Sequence, residues 1–363
     1  MLHKNKLSIG LIVIALFMVM VWAQPSTAAF YEGKTVTVIV AAGAGGGLTR
    51  AAQVFIQYMP KHVPGNPKMI IKNIPGGGGT KGMNYMAEKA RPDGKTISWG
   101  PASLMAPLLN LPGTRYNPEK FTLIGAADTT YLTLMRTDTP PGIKKPADVV
   151  KASGFKVGGR GPVSGLDLFA RFPLEILGVP YKYVPGYAAQ PKMNAAIRAK
   201  EIQYLTTGHQ GYREFYENTL LKTGEAIALY YHCPLDKNGN PTILDRYPPN
   251  IRHFLDVYKE IHGKRPSGPL WDAYKWVSTY VIWPFLMLTP EGFPAEAVSD
   301  LRKAYVATSK DPEFLNAYRK QFIDVPTYIS GEEGEWLIKN YRDISPEGLE
   351  GLRKLTRTPN KKK

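Results

Sequence analysis

The residues in this 363-residue chain that could do chemistry sit in glycine loops. Gly43, Gly45, Gly46 and Gly47 follow the β-branched run Thr35 to Val40. Pro75-Gly76-Gly77-Gly78-Gly79 follows Met69 to Lys72, and Gly100-Pro101-Ala102-Ser103 follows Thr96 to Trp99. Gly158-Gly159-Arg160-Gly161-Pro162-Val163-Ser164-Gly165 follows Phe155 to Val157. Loops stripped of side chains let backbone N–H groups approach a bound group closely. Where such a loop opens a helix, unpaired amides and the positive dipole end favour an anion. Nucleotide readings fail on the residues they need. G-x-G-x-x-G counted from Gly43 ends on Leu48, and Lys72 and Asn73 stand where a ribose-binding acid belongs. Thr80-Lys81-Gly82 reverses the Walker order, and Pro162 replaces the first glycine of a nucleophile elbow around Ser164. His62, His209, His232, His253 and His262 are scattered, with no pair at metal-ligand spacing beside carboxylates. No paired carboxylates stand at strand ends for acid–base work. The pattern that remains, amide-rich loops bearing hydroxyls, describes a clamp for a carboxylate or other oxyanion.

Those loops need strands to launch them and helices to receive them. Ala51, Val54, Phe55, Tyr58 and Met59 recur at helical spacing after the first loop, and Met83, Met86, Ala87 and Ala90 do so after the second. Strand, loop, helix, repeated, predicts a doubly wound, mostly parallel α/β sheet with helices on both faces and its loops at the carboxyl ends of the strands. Phe121 to Ala126 and Tyr131 to Arg136 cross into a second domain of the same kind. Its strands are Phe155 to Val157, Tyr181 to Val184, Ile202 to Leu205 and Ala226 to Tyr231. Pro173 is expected to kink the helix Leu166 to Leu177. The apolar run Val277 to Leu288 returns the chain to the first domain, which is therefore discontinuous: residues 30–128 and 279–363, with residues 129–278 between them.

Met1 to Ala29 reads as a secretory leader with a basic start at Lys4 and Lys6, an apolar stretch Leu7 to Ala23, and a cleavage site near Ala28 or Ala29. An uncleaved anchor is the alternative, given the length of the apolar run. Without Lys4 and Lys6 the balance is 44 basic to 30 acidic residues, near +14. Such a charge suits acidic small molecules, anionic surfaces or nucleic acid; export argues against nucleic acid. The one cysteine, Cys233, cannot form an internal disulfide and reads as core packing.

The first strand–loop–helix unit, Asn73-Ile74-Pro75-Gly76-Gly77-Gly78-Gly79, Arg91-Pro92-Asp93-Gly94, Ile124-Gly125, the turn Val184-Pro185-Gly186 and Thr289-Pro290…Pro294 resemble the extracytoplasmic solute receptors of tripartite tricarboxylate transporters, the Bug receptors. The match runs over essentially the whole chain after the leader. The resemblance implies a two-domain periplasmic binding protein fold, type II-like, closing a cleft on a carboxylate held by backbone amides and water. Carried over by position, the first-domain grip is Ala42 to Gly47 (Ala42, Gly43, Ala44, Gly45, Gly46 and Gly47), Pro75 to Gly79 with Gly77 and Gly78, and Gly100 to Ser103 with Pro101, Ala102 and Ser103. The second-domain grip is Gly158 to Gly165, with Arg160, Gly161, Ser164 and Gly165, and Tyr183 to Tyr187, with Pro185, Gly186 and Tyr187. One departure is clear: Thr49 and Gln53 stand where the family has a bracing Asp and Arg. Arg50 and Arg160 compete for the distal end of a diacid, because a forked guanidinium holds carboxylate bidentately. Tyr131, Tyr183 and Tyr187 could stack on an aromatic ring. Ser103 and Ser164, short hydroxyls at helix starts, either cap or donate to an anion.

The expected function is a periplasmic receptor, monomeric and without a cofactor or metal, that binds a small di- or tricarboxylate or aromatic acid and passes it to the permease subunits of a tripartite transporter. An anchored ligand sensor and an enzyme acting on an anionic substrate are the alternatives. Replacing Gly46 with a bulky residue is expected to abolish ligand binding and leave the fold intact. An unchanged affinity would reduce the loop to a turn.

Overall fold

The computed structural model describes residues 29–44, 47–101, 103–187, 190–236, 238–243, 245–322 and 325–356. The leader residues 1–28, the lysine tail, Gly45, Gly46 and Ala102 lie outside the described residues. Two sheets organise the chain, one to a lobe. The first has six strands in the order β11-β4-β10-β3-β1-β2. These are β1 (Thr35–Val40), β2 (Lys68–Asn73), β3 (Thr96–Gly100), β4 (Thr122–Ala127), β10 (Phe285–Thr289) and β11 (Tyr328–Ser330). β1 pairs in parallel with both β2 and β3, and β10 runs antiparallel between β3 and β4. Alternation along β1 shows why its second half is wholly apolar. Val36, Val38 and Val40 pack with α1 (Gly47–Tyr58), α7 (Ala295–Lys310) and α8 (Pro312–Phe322) on one face. Ile39 packs with Met83 and Met86 of α2 (Thr80–Glu88) on the other. A strand buried on both faces has no room for polar side chains. At the far edge, β2 alternates half-buried and exposed residues, as an edge strand does.

The second sheet has five strands in the order β7-β6-β8-β5-β9. They are β5 (Tyr131–Arg136), β6 (Lys156–Gly158), β7 (Lys182–Val184), β8 (Tyr204–Gly208) and β9 (Ala226–His232). β6, β7 and β8 are parallel, and only β5 runs against the rest. Four of six strands in one sheet and four of five in the other thus share a direction, giving the mostly parallel α/β fold that the sequence predicts. α3 (Gly165–Leu177) runs through Pro173 as one helix, and α4 (Gln190–Arg198) covers the opposite face. The apolar run Val277 to Leu288 divides into a wide helical turn, Val277–Val281, and β10. β11, only three residues long, goes unread in the sequence.

Three chain segments join the lobes. Thr129 N–H donates to Ile282 O at 3.1 Å, and Asp128 N–H donates to Thr327 O at 3.1 Å. The Asp128 carboxylate, 1% exposed, accepts from Thr327 N–H at 2.8 Å and from Arg246 Nη1 at 3.2 Å. Burial pushes the Asp128 carboxyl above its ordinary range, and Arg246 pulls against it. The sequence places all of 279–363 with the first domain. The last helix, α9 (Pro346–Thr356), instead lies against α6 (Pro269–Trp276) and α3. A Cβ on Gly351 would stand 2.9 Å from Pro269 O, so the two helices approach backbone to backbone.

At the end of β5, Arg136 is 3% exposed and held bidentately by Asp138, through Nε at 2.9 Å and Nη2 at 3.0 Å. Its Nη1 reaches Ile197 O at 3.2 Å, tying β5 to α4. The Arg136 hydrogen bond depresses the Asp138 carboxyl to about 2 from an ordinary 3.8. A depressed acid contributes stability that is present above its unfolded pKa and lost as pH falls through the folded one. The contribution should therefore vanish between about pH 4 and about pH 2. Asp138→Asn is expected to lower the melting temperature at neutral pH and to flatten that acid limb. Parallel limbs for the two proteins would show that the pair carries no linkage.

Candidate ligand-binding cleft

The carboxyl ends of β1, β2 and β3 lie side by side because the strands are parallel, so their three loops form one rim. Packing brings them together. A Cβ on Gly79 would meet Pro101 O at 3.5 Å and Ala41 Cβ at 3.8 Å, one contact from each neighbouring loop. Gly82, in the first turns of α2, packs against Ala41 so closely that its Cβ would stand 2.7 Å away. The second loop turns sharply: Gly76, Gly77, Gly78 and Gly79 all have positive φ. Ser103 also lies in the left-handed region, at φ 48°, and its carbonyl accepts the Tyr116 hydroxyl at 2.8 Å. For a residue with a Cβ that conformation costs about 1 kcal/mol or more, so its surroundings hold it there.

Neutral groups brace the first loop. Asn73 Nδ2, at the end of β2, donates to Ala42 O and to Thr49 Oγ1, each at 2.8 Å. Thr49, 2% exposed, in turn donates to Gly43 O at 2.9 Å. This is the position where the resemblance leads one to expect a charged Asp and Arg. An amide and a hydroxyl do the bracing instead and add no charge to the rim. Neither α1 nor α2 has an acidic residue in its first turn, and the N-cap of α2, Gly79, has no side chain to cap it. Both helices thus aim an uncompensated positive end at the rim. Arg50 lies with its guanidinium 5.8 Å from the Phe322 ring centroid, and its Nε is buried without a hydrogen-bond partner.

Across from this rim stands the carboxyl end of β8. Gln210 Oε1 lies 3.5 Å from where a Cβ on Gly47 would be, so the two lobes meet at the first residue of α1. His209 stacks on Tyr212 at 5.8 Å, and Tyr247 approaches it edge-on at 4.9 Å. The His209 backbone N–H donates to Thr130 O at 3.0 Å. Neither His209 nor Gln210 stands among the residues singled out from the sequence. Their signal was the Gly208-His209-Gln210-Gly211 turn directly after a strand.

The remaining second-lobe candidates divide. The N–H groups of Arg160 and Gly161 donate, each at 2.9 Å, to the two oxygens of Asp167, in the first turn of α3. Asp167 also accepts the Tyr183 hydroxyl. Burial raises the Asp167 carboxyl above its ordinary range, with Tyr183 and the two amides pulling it back. The Gly161 amide, expected from the sequence to face a ligand, is thus committed within the protein. Tyr183 carries the Arg171 guanidinium on its face at 4.3 Å, so it is a wall residue. Tyr131, 8% exposed, tilts onto Phe169 at 4.9 Å, and burial pushes its phenol up to about 12. Its hydroxyl lies 3.8 Å from where a Cβ on Gly165 would be. Ser164 is the N-cap of α3 without making a capping bond to its amides. Tyr187 N–H donates to Gly159 O at 3.0 Å, which ties the exposed Pro185-Gly186 turn to the loop after β6. Among the described residues no group of His, Cys, Asp and Glu could hold a metal, and no helix is long and apolar enough to cross a membrane. Cys233 is fully buried, its thiol pushed up to about 11, in keeping with core packing.

No family model and no curated relative matches the sequence. Solved structures do match. The periplasmic binding protein BugD superposes with a TM-score of 0.63 at 20% identity, over 90% of this chain and 98% of its own. A TctC solute-binding protein from Polaromonas gives 0.62 at 19%, over 89% and 99%. MatC from Rhodopseudomonas palustris, solved with bound malate, gives 0.59 at 18%, over 89% and 98%.

Asn73→Ala removes the donor to both Ala42 O and Thr49. It is expected to cost about 1–2 kcal/mol of stability, read as a lower melting temperature. A variant that melts like the parent would mean that the first loop holds its shape without the brace. The likeness to these structures extends over nearly the whole of each chain, and the protein has the two-lobed periplasmic binding fold of the BugD and TctC type.

Proposed function

We propose that the protein is an extracytoplasmic receptor that closes its two lobes on a small carboxylate and delivers it to a membrane permease. The observation that carries this reading is the rim itself. Two helix N-termini free of acidic residues, and three loops drawn together by packing, face the end of β8 across a gap that Gln210 spans. Amide dipoles aimed at one point favour a single concentrated negative charge. MatC, with the same fold, holds malate. Binding energy comes from those dipoles and from charge-assisted hydrogen bonds made in a closing cleft. The lobes divide at the three crossing segments, with residues 30–128 and part of the C-terminal return in one and residues 129–278 in the other. Export follows from the leader read over Met1 to Ala29, and the ligand's destination is the permease of a tripartite transporter. The receptor works as a monomer and breaks no bond.

A thermal-shift screen of residues 30–363 against mono-, di- and tricarboxylates and aromatic acids tests the reading. A ligand that binds only the folded state adds RT ln(1 + [L]/Kd), about 2.7 kcal/mol at 100 times its Kd. A dose-dependent rise with one acid, and recovery of that acid unchanged, is the expected result. Flat curves from well-folded, ligand-free protein would overturn it.

A further inference from the structure

The 13-residue helix α3 starts at the loop after β6 and ends about 20 Å away, at 1.5 Å per residue. At that far end a pocket of about 530 Å³ opens in the second lobe. Leu174, Val179 and Pro180 make its apolar part. Tyr181 and Tyr183 line it too, two residues apart along the β7 segment and so on one side of the strand. Among the described residues that line it, only Glu175 is charged. Three features give this pocket one sign. The last turn of α3 holds no basic residue, so the negative end of the helix dipole is uncompensated. Glu175 Oε1 accepts the Tyr181 hydroxyl at 2.9 Å, yet Glu175 has no ion pair, and its Oε2 no hydrogen-bond partner, among the described residues. The faces of aromatic rings attract cations. Tyr183 already does so, carrying the Arg171 guanidinium 4.3 Å from its centroid. Arg171, 7% exposed, is not part of the lining, and its Nε donates to the Tyr181 hydroxyl at 3.2 Å. Tyr181 thus joins Arg171 to one oxygen of Glu175 and leaves the other unclaimed.

We propose that this pocket is a second binding site, for a free organic cation: an ammonium or guanidinium group joined to an apolar body. The charge lies against Glu175 and the tyrosine rings, and the body lies on Leu174, Val179 and Pro180. The volume falls within the range of about 300–1,000 Å³ usual for small-molecule sites. A lysine borne by another protein would offer that apolar wall only an unbranched stem, so the free molecule fits better. The site goes beyond the carboxylate-receptor reading and does not depend on it. The cleft is built to favour a negative group, and this pocket, at the other end of α3, a positive one.

The test is calorimetric titration of residues 30–363 with benzylammonium, with benzyl alcohol as its neutral counterpart and Nα-acetyl-lysine amide as a protein-like lysine. Benzylammonium is expected to bind about 10-fold or more tighter than either. Glu175→Gln should lower its affinity by about 10- to 100-fold, the range of one charge-assisted contact. Pro180→Lys sets an ammonium at an exposed position of the lining and should weaken binding by about 10-fold with the melting temperature kept. Backbone amide shifts in NMR should move at Gly178, Val179 and Tyr181 as benzylammonium is added. These shifts and Pro180→Lys decide the matter should Glu175→Gln fail to fold. Equal affinity for benzyl alcohol, unchanged binding in Pro180→Lys, shifts confined to the cleft loops, or no binding at all would each overturn the site. Tighter binding of the lysine amide than of benzylammonium would overturn the free molecule as its occupant.

Discussion

Parallel pairing of β1 with β2 and β3 is the constraint from which the site follows. Parallel neighbours deliver their carboxyl ends to the same edge, and each must then cross over through a helix that begins at that edge. Three loops and the first turns of α1 and α2 are thereby crowded together, whatever their sequence. The glycines answer that crowding: a side chain at Gly82 would push into Ala41, and Gly79 takes a φ of 103° that side chains rarely adopt. A rim of bare backbone is the packing solution, and its exposed N–H groups are the chemical result. The positive helix ends at this rim come from the strand order and need no dedicated charged residue.

How each lobe stabilises its loops then differs. In the first, Asn73 and Thr49 satisfy the carbonyls of Ala42 and Gly43. In the second, Asp167 satisfies amides and leaves a side chain outward. Bracing through carbonyls keeps a loop electropositive. Bracing through amides takes those N–H groups away from any incoming anion. The same structural need, a fixed loop, is met by opposite groups.

Much of this was legible in the chain. β1 and β5 fall on the runs read as Thr35 to Val40 and Tyr131 to Arg136, because short, mainly apolar runs bounded by turn-forming residues admit few other structures. The loops at strand ends were legible for the same reason. What could not be read was tertiary. β11 is three half-buried residues long, too short to show periodicity. Asp167 looks like any acidic residue in a helical first turn until Gly159 and Tyr183 are seen against it. Gln210 matters only because Gly47 lies opposite, and that contact spans 163 positions of sequence. α9 could be read as a helix with Leu349, Leu352 and Leu355 on one side, but nothing local says which lobe that side meets. Gly348 and Gly351 carried the hint, since helices that touch backbone to backbone need small residues at the contact.

The crossing segments show how such a molecule can both close and stay folded. The crossings from β4 to β5 and into β10 are tied by one backbone bond, Thr129 to Ile282, so a change of lobe angle can be absorbed by a few dihedrals, and Asp128 beside them bonds Thr327 of the first lobe. Asp128 limits that freedom. Its buried carboxylate holds both Thr327 and Arg246, and Arg246 comes from the long loop between β9 and α5 (Phe254–His262) of the second lobe. A buried carboxylate stripped of its arginine costs about 3–5 kcal/mol, so Asp128 ties the loop that carries Arg246 to the first lobe. Thr130 extends the tie, donating its hydroxyl to Tyr247 at 3.2 Å, and Tyr247 packs edge-on against His209. The hinge is therefore in contact with the side chains at the end of β8 that face the first loop. A ligand that displaces His209 or Gln210 acts directly on the residues about which the lobes turn, which joins binding to closure through three neighbouring side chains.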